Sequence, residues 1–382
     1  MNARTENQPE RHWLHALLEE VVRRGGSDLF LLADAAPAVK INGKMVRQEG
    51  KALTGDNTLA IARAIMTPLQ LEQFLHTKES NFAIALPSRQ RFRVNAFMQL
   101  GEISMVFRVV AQHPPSLDEL GLPSVMKTSA LYKRGLVIMV GATGVGKTST
   151  LAAMIDRINT HTSGHIVTVE DPIEFLHPHK QCLVTQREIG IDTLDWAVAL
   201  KNALRQAPDV IMVGELRDRE ATEQAVAFSE TGHLVLATLH ANNTNQALER
   251  ILSFFPDTRR APLYLDLSMN LRAVISQRLI RRADEKGRVP AVEIMLNTPL
   301  IGDLMRKGDI PGIRMAMEHS PSEGMQTFQQ SLFELFEAGT ISLDDALRNA
   351  DSLNDLRLHI KLHSKRQGIK DLSAGTEHLG IL

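Results

Sequence analysis

The chain has 382 residues, more than one hydrophobic core normally serves, so two domains are expected. Hydrophobic residues at 43% and charged residues at 23% are ordinary for a soluble globular protein, and a net charge of −1 gives no global pull towards nucleic acid or anionic membrane. The single cysteine, Cys182, excludes an intramolecular disulfide and any multi-cysteine metal site; with no apolar run of membrane-spanning length and a polar rather than signal-like start, the sequence predicts a cytoplasmic protein.

After a polar tail over residues 1–11, Leu14, Leu17, Leu18 and Val21 recur at helical spacing until Gly25-Gly26 stops the helix ahead of a strand over 28–32. A hairpin follows, with Asn42-Gly43 turning between 38–41 and 44–47. Thr54 is placed to cap a helix that ends near Pro68, a short helix covers 69–75, and strands are expected over 81–86, 91–97 and 103–110. Together these make an α+β domain over 12–112. By strand alternation Phe92, Val94 and Ala96 share one face while Arg91, Arg93 and Asn95 share the other, and Arg108 lies opposite Ile103, Met105, Phe107 and Val109. Arg93 and Arg108 thus point away from the core, where the default is a solvated charge or an ion pair.

Residues 113–130 have the proline and glycine content of a linker, and beyond them the pattern changes. Apolar strands over 136–140, 165–169, 210–213 and 233–239 alternate with helical segments, which implies a mostly parallel sheet wrapped by helices in a domain over 131–365. From about Thr298 the chain reads as helical, with a helix over 325–338 ended by Gly339 and Ser342 opening the next. A poorly ordered tail is expected over 366–382.

Gly141-Ala142-Thr143-Gly144-Val145-Gly146-Lys147-Thr148 stands between the first of those strands and a helical stretch beginning at Ser149, the strand-loop-helix context of a P-loop. Its backbone N–H groups would cradle a polyphosphate, Lys147 would reach the terminal phosphates, and the Thr148 hydroxyl would ligate Mg²⁺, so ATP is the expected ligand. Ligands of open α/β sheets sit at the carboxyl ends of the strands. There the sequence places Glu170, Asp171 and Glu174, then Glu215 and Arg217, then His240. Glu215 fills the Walker B position, with Gly214 where an aspartate is usual, so it would serve both metal and attacking water. Glu170, Asp171 and Glu174 read either as a second acidic wall or, through Asp171-Pro172, as a turn. His233 and His240 bracket one strand some ~23 Å apart, so only His240 stands at the nucleotide end; His233 reads as a structural or subunit-contact histidine.

The ordered set formed by the P-loop, Val169-Glu-Asp-Pro-Ile-Glu-Phe175, Val213-Gly-Glu-Leu-Arg-Asp218 and Thr231-Gly-His-Leu-Val-Leu-Ala-Thr-Leu-His240 resembles the Walker A, Asp box, Walker B and His box of the bacterial secretion and type IV pilus motor ATPases. Gly26-Ser-Asp-Leu29, Arg91-Phe-Arg-Val-Asn-Ala-Phe97, Gly324-Met-Gln-Thr-Phe328 and the segment 344–351 extend the resemblance over nearly the whole chain. One cysteine cannot build the four-cysteine zinc module of the assembly and type II secretion branches, which points to the retraction branch of PilT and PilU type. The segment 297–308 departs from the PilT pattern and, with 239–250 and Phe254-Phe255-Pro256, favours the PilU type. The resemblance implies a PAS-like N-terminal domain and a RecA-like ATPase domain with C-terminal helices, assembled as a homo-hexamer. It further implies a cytoplasmic ring lying peripherally at the inner membrane, on a platform protein at the pilus base, and driving retraction and twitching motility beside a PilT-type motor. It makes Glu215, Glu170, His240, Arg93 and Arg108 catalytic candidates, with Asp171, Glu174, Arg217 and His233 lining the nucleotide. Two other readings stand beside it: an ATP-binding accessory subunit that docks on a primary motor, and a RecA-like nucleic-acid translocase, against which near-neutral charge and the lack of a basic, aromatic-studded segment count.

Overall fold

The computed structural model describes residues 9–320 and 323–366; the tails expected at the chain's two ends lie outside them except for 9–11, which already belong to the first helix, and Arg366. The chain divides into two units, one of Met1–His113 with Glu174–Leu176 and one of Pro114–Ile173 with His177–Leu382.

The first unit runs α1 (Pro9–Arg23), β1 (Gly26–Leu31), β2 (Ala38–Ile41), β3 (Lys44–Arg47), α2 (Gly55–Ile65), α3 (Pro68–Thr77), β4 (Glu79–Ala85), β5 (Arg91–Gln99) and β6 (Glu102–Val109). Its six strands form an antiparallel sheet in the order β3-β2-β1-β6-β5-β4. Local chemistry sets the helix starts: Thr54 and Thr67 each close a capping box, with Asn57 and Gln70. The β2–β3 turn needs positive φ at both central residues, and Asn42 (49°) and Gly43 (79°) supply it. Leu14, Leu18, Ile61 and Phe74 from the helices cover Leu29, Leu31, Phe92, Val94 and Phe107 on one sheet face, so alternation delivers Asp28, Arg108 and Arg93 to the other. The segment Glu174–Leu176 joins this unit: Phe175 bridges Ala111, and the Leu176 N–H donates to the Ala111 carbonyl at 2.9 Å.

In the second unit, α4 (Val125–Ser129) precedes β7 (Gly135–Val140), α5 (Lys147–His161), β8 (Gly164–Glu170), β9 (Cys182–Glu188), α6 (Trp196–Ala203), β10 (Val210–Val213), α7 (Arg219–Glu230), β11 (Leu234–Leu239), α8 (Thr244–Ser253) and α9 (Asp257–Asn270). There follow β12 (Leu271–Arg281), β13 (Arg288–Leu296), α10 (Pro299–Lys307), α11 (Ile310–Glu318), α12 (Phe328–Glu337), α13 (Leu343–Arg348) and α14 (Leu353–His363). The seven-stranded sheet has the order β13-β12-β7-β11-β10-β8-β9 and is parallel except where β13 pairs antiparallel with β12. Every residue of β7, β10 and β11 is buried, as strands covered by helices on both faces must be, and separate apolar clusters fill the two sides. A further cluster around Phe328, Leu332, Phe336, Leu356 and Ile360 packs the last helices onto Ile280 and Ala291 of the β12–β13 hairpin.

Two features depart from the sequence reading. The sheet has three strands beyond the four expected, β9, β12 and β13. The stretch expected as a linker is itself packed: Leu117, Leu122, Met126 and Ala130 are buried in the second unit's core. Proline and glycine there shape a covered turn rather than a free tether. Among the described residues no helix is long and apolar enough to cross a membrane.

Candidate active site

Parallel pairing brings the strand ends level, with Val140 opposite Leu239 and Val213 opposite both Ala237 and Val169. The loop 141–146 leaves β7 at this edge. Gly141, Gly144 and Gly146 hold φ of +150°, +79° and +90°, and a Cβ on Gly141 would lie 2.7 Å from the Gln277 carbonyl oxygen, so glycine is required for both conformation and space. Gly146 caps the 15-residue α5 and has no side chain to satisfy the helix's first N–H groups, which suits an anion at this terminus. The Lys147 ammonium donates to the Gly141 and Ala142 carbonyls at 2.7 and 2.9 Å, folded across its own loop. Thr148 and Ser149 are half-buried in the first helical turn.

Glu215 follows β10, one strand beyond β11, and its carboxylate stands 3.5 Å from Nε2 of His240 at the end of β11. Both side chains are half-exposed, which leaves room for water beside a carboxylate-imidazole pair. The position that holds Gly214 instead of an aspartate is closely packed. Gly214 donates to the Val169 carbonyl at 2.8 Å and accepts from Thr238 Oγ1 at 2.5 Å, and a Cβ there would meet the Val169 oxygen at 3.0 Å and the Trp196 ring at 3.1 Å. Glu170 is of a different kind: only 5% exposed, it accepts from Thr168 Oγ1 at 2.6 Å and Gln186 Nε2 at 3.1 Å. Asp171 faces Arg217 at 3.8 Å, and the Arg217 guanidinium lies over the Trp196 ring, 5.0 Å from its centroid.

The P-loop, Glu170, Asp171, Glu215, Arg217 and His240 therefore share one edge of the second unit's sheet. His233 lies at the opposite end of β11, its Nδ1 3.0 Å from Thr231 Oγ1 and 3.1 Å from the Phe228 carbonyl at the end of α7. Glu174 belongs to the segment that joins the first unit. Arg93 and Arg108 also belong to that unit, directly opposite each other on β5 and β6. Arg108 Nε donates at 2.7 Å to Asp28, a carboxylate buried on β1, while much of the arginine stays exposed. Two like charges facing each other across strands cost stability unless anionic charge is shared, and Asp28 supplies some on the Arg108 side.

Reasoning from motifs missed β12, which borders β7 on the side away from β11. Gln277, 4% exposed, donates from Nε2 to the Val145 carbonyl at 2.7 Å and accepts from Thr150 Oγ1 at 2.8 Å. Its neighbour Arg278 donates to the Asn242 carbonyl at 3.1 Å, to the Asn349 carbonyl and to Asp351, both at 2.5 Å, and lies over the Phe328 ring. Glu293 on β13 accepts from the Thr244 N–H and hydroxyl at 2.7 and 2.8 Å at the start of α8; burial pushes its carboxyl up, against those two bonds. The available signal was two runs, 271–280 and 289–296, rich in β-branched and apolar residues around Asp284-Glu-Lys-Gly287.

The sequence profile of the type II/IV secretion system protein family matches residues 3–338. The chain is 50% identical over 365 residues to the type IV pilus ATPase PilU of Pseudomonas aeruginosa, covering 96% of this chain and 95% of that one. It is 40% identical over 334 residues to the type IV pilus retraction ATPase PilT of the same organism, covering 87% and 97%. Among solved structures, the pilus retraction motor PilT with bound ADP superposes with a TM-score of 0.84 at 35% identity, over 90% of this chain and 98% of that one, and shares its mixed α/β fold with two sheets. A P-loop at the edge of the parallel sheet, a profile spanning most of the sequence and near-complete alignment with both pilus ATPases lead to one assignment: the chain belongs to the type II/IV secretion system family of ATPases, in the branch of PilU and PilT.

Proposed function

We propose that this chain is an ATP-hydrolysing motor of type IV pilus retraction, of PilU type. The observation that carries the reading is the Glu215–His240 pair, 3.5 Å apart at the ends of β10 and β11, with the P-loop leaving the next strand. A strand-end carboxylate beside a phosphate loop is the arrangement that orients water against a γ-phosphate. Lys147, which donates to the loop carbonyls in this structure, would hold phosphate oxygens when nucleotide is bound. Thr148 and Glu215 would hold Mg²⁺, which when bound with ATP neutralises phosphate charge. Among the described residues no group of three or more His, Cys, Asp or Glu could hold a metal, so water and phosphate oxygens would complete its shell, in keeping with the preferences of Mg²⁺. His240, 3.5 Å from Glu215, would steady that carboxylate and sense the γ-phosphate when nucleotide is bound. Glu170, buried and hydrogen-bonded, shapes the acidic wall, while Asp171 and Arg217 line its rim and Glu174 and His233 act from outside it.

In this reading the first unit is PAS-like over 12–112, and the second, which takes in the packed stretch from Pro114 as well as 131–365, is RecA-like with helical C-terminal additions. Arg93 and Arg108 bring positive charge to the nucleotide when the ring closes. The working assembly is a homo-hexamer on the cytoplasmic face of the inner membrane, docked on the pilus platform and partnered by a PilT-type motor. The test pairs ATPase assays on the purified chain with deletion of its gene. Piliated cells that do not twitch, restored by the parent and not by Lys147→Ala, support the motor. Restoration by a variant that cannot turn over ATP would reduce the chain to a docking subunit.

A further inference from the structure

The phosphate loop is braced from a strand that carries no nucleotide motif. β12 runs parallel to β7 with Ser276 opposite Val140, so Gln277 arrives beside the point where β7 gives way to Gly141. From the geometry we infer that Gln277 is a positioning residue of the phosphate loop and sets nucleotide affinity through the Val145–Gly146 peptide.

A carbonyl oxygen can only accept, so the Val145 oxygen fixes which end of the Gln277 amide faces it: Nε2 at 2.7 Å. The other end is then committed to Thr150, whose hydroxyl donates to Oε1 at 2.8 Å. The side chain is buried and bonded at both ends, tying the loop to the first turns of α5. The loop also has no slack against it. A Cβ on Gly146 would lie 2.9 Å from Gln277 Nε2, as one on Gly141 would from the carbonyl oxygen of the same residue at 2.7 Å. The peptide between Val145 and Gly146 is planar and trans, so its C=O and N–H point in opposite directions. With the carbonyl held towards β12, the Gly146 N–H is turned away from β12. A loop that receives phosphate needs its N–H groups turned inward and its carbonyls restrained from competing. Gln277 performs that restraint at the Val145 carbonyl, on the peptide whose N–H belongs to Gly146, the residue immediately before Lys147.

The inference rests on the loop being the phosphate site, and the experiment separates the two. Binding of Mg-ADP to the full-length chain is titrated for the parent, Lys147→Ala, Gln277→Met and Gln277→Glu, and steady-state ATP hydrolysis is measured alongside. Methionine keeps length and removes both bonds; glutamate keeps an acceptor for Thr150 and sets a second acceptor against the Val145 carbonyl. The expected result is a Kd raised about 10-fold in Gln277→Met and more in Gln277→Glu, as for loss of a buried hydrogen bond. KM should rise while kcat stays within about two-fold of the parent, because the bond acts equally in ground and transition states. Parent-like ADP binding by Lys147→Ala would overturn the phosphate-site reading itself. Loss of binding in Lys147→Ala with parent-like Kd in Gln277→Met overturns this inference alone, as does a fall in kcat at unchanged KM. Should both Gln277 variants fail to fold, Thr150→Val, which releases the other end of the amide, is expected to raise Kd about three-fold, and an unchanged Kd there overturns the inference as well.

Discussion

In the proposed mechanism Lys147 would meet phosphate charge in the ground state and Glu215 would act chiefly when water attacks, so their removal should differ in kind. Lys147→Ala is expected to abolish tight ATP binding. Glu215→Gln should retain it and lower turnover by about 10²-fold, the effect of losing a positioned acid-base group. Turnover near the parent rate in Glu215→Gln would transfer the role to another carboxylate, Glu170 first. Gly214 makes a steric prediction: Gly214→Ala sets a Cβ 3.0 Å from the Val169 oxygen and should cost about 1–3 kcal/mol, read as a lowered melting temperature. His177 makes one about pH. Burial, the dominant cause, holds its imidazole at about 4. The folded chain therefore keeps it neutral while the unfolded chain takes a proton below about 6.5, so its contribution is complete above that pH and is lost as the pH falls towards 4, by on the order of 3 kcal/mol. Melting curves at pH 7 and pH 5 should show a shallower pH dependence in His177→Gln than in the parent; equal slopes would remove His177 from the account.

At the scale of elements, β11 separates its two histidines. His240→Ala is expected to lower turnover more than His233→Ala in a steady-state assay, since His233 is occupied with the end of α7. An equal loss would count against the geometry, and a larger loss at His233 with loss of the ring would make that residue a subunit contact. The same elements show what the sequence could disclose. Buried parallel strands read as unbroken apolar runs, and capping residues act on their own backbone neighbours, so β7, β8, β10, β11 and the starts of α2 and α13 were legible. β12 was not, because its run follows α9 without a turn signal and Gln277 acquires its meaning only from Val145, 132 residues away. The buried leucines of 114–130 were overlooked because proline and glycine dominate the local pattern while burial is decided by the second unit's core. Gly214 belongs to the same class: a departure from motif at the level of residues is close packing at the level of strands.

For the whole molecule, the informative pair is Arg93 and Arg108. If they reach a nucleotide only on closure, Arg93→Ala and Arg108→Ala should depress turnover by up to ~10³-fold with a smaller change in ATP affinity and an intact ring, read by ATPase assay, nucleotide titration and native mass. Arg108→Ala carries a second signature, a destabilised first unit, because the buried Asp28 then loses its ion pair with Arg108 and keeps the Ser27 hydroxyl bond. Unchanged turnover in both would leave them as surface ion-pair residues. The return of Glu174–Leu176 to the first unit bears on any such motion. The backbone passes between the units at 113–114, at 173–174 and again at 176–177, so it is sewn through rather than hung from one thread. Cleavage at His113–Pro114 would not yield two complete pieces, since the first would lack Glu174–Leu176, whose Phe175 bridges Ala111. The stitch also lies three residues beyond Asp171. A pull on the first unit therefore arrives at Asp171, on the edge proposed to hold the nucleotide, along covalent bonds, without any interface having to transmit it.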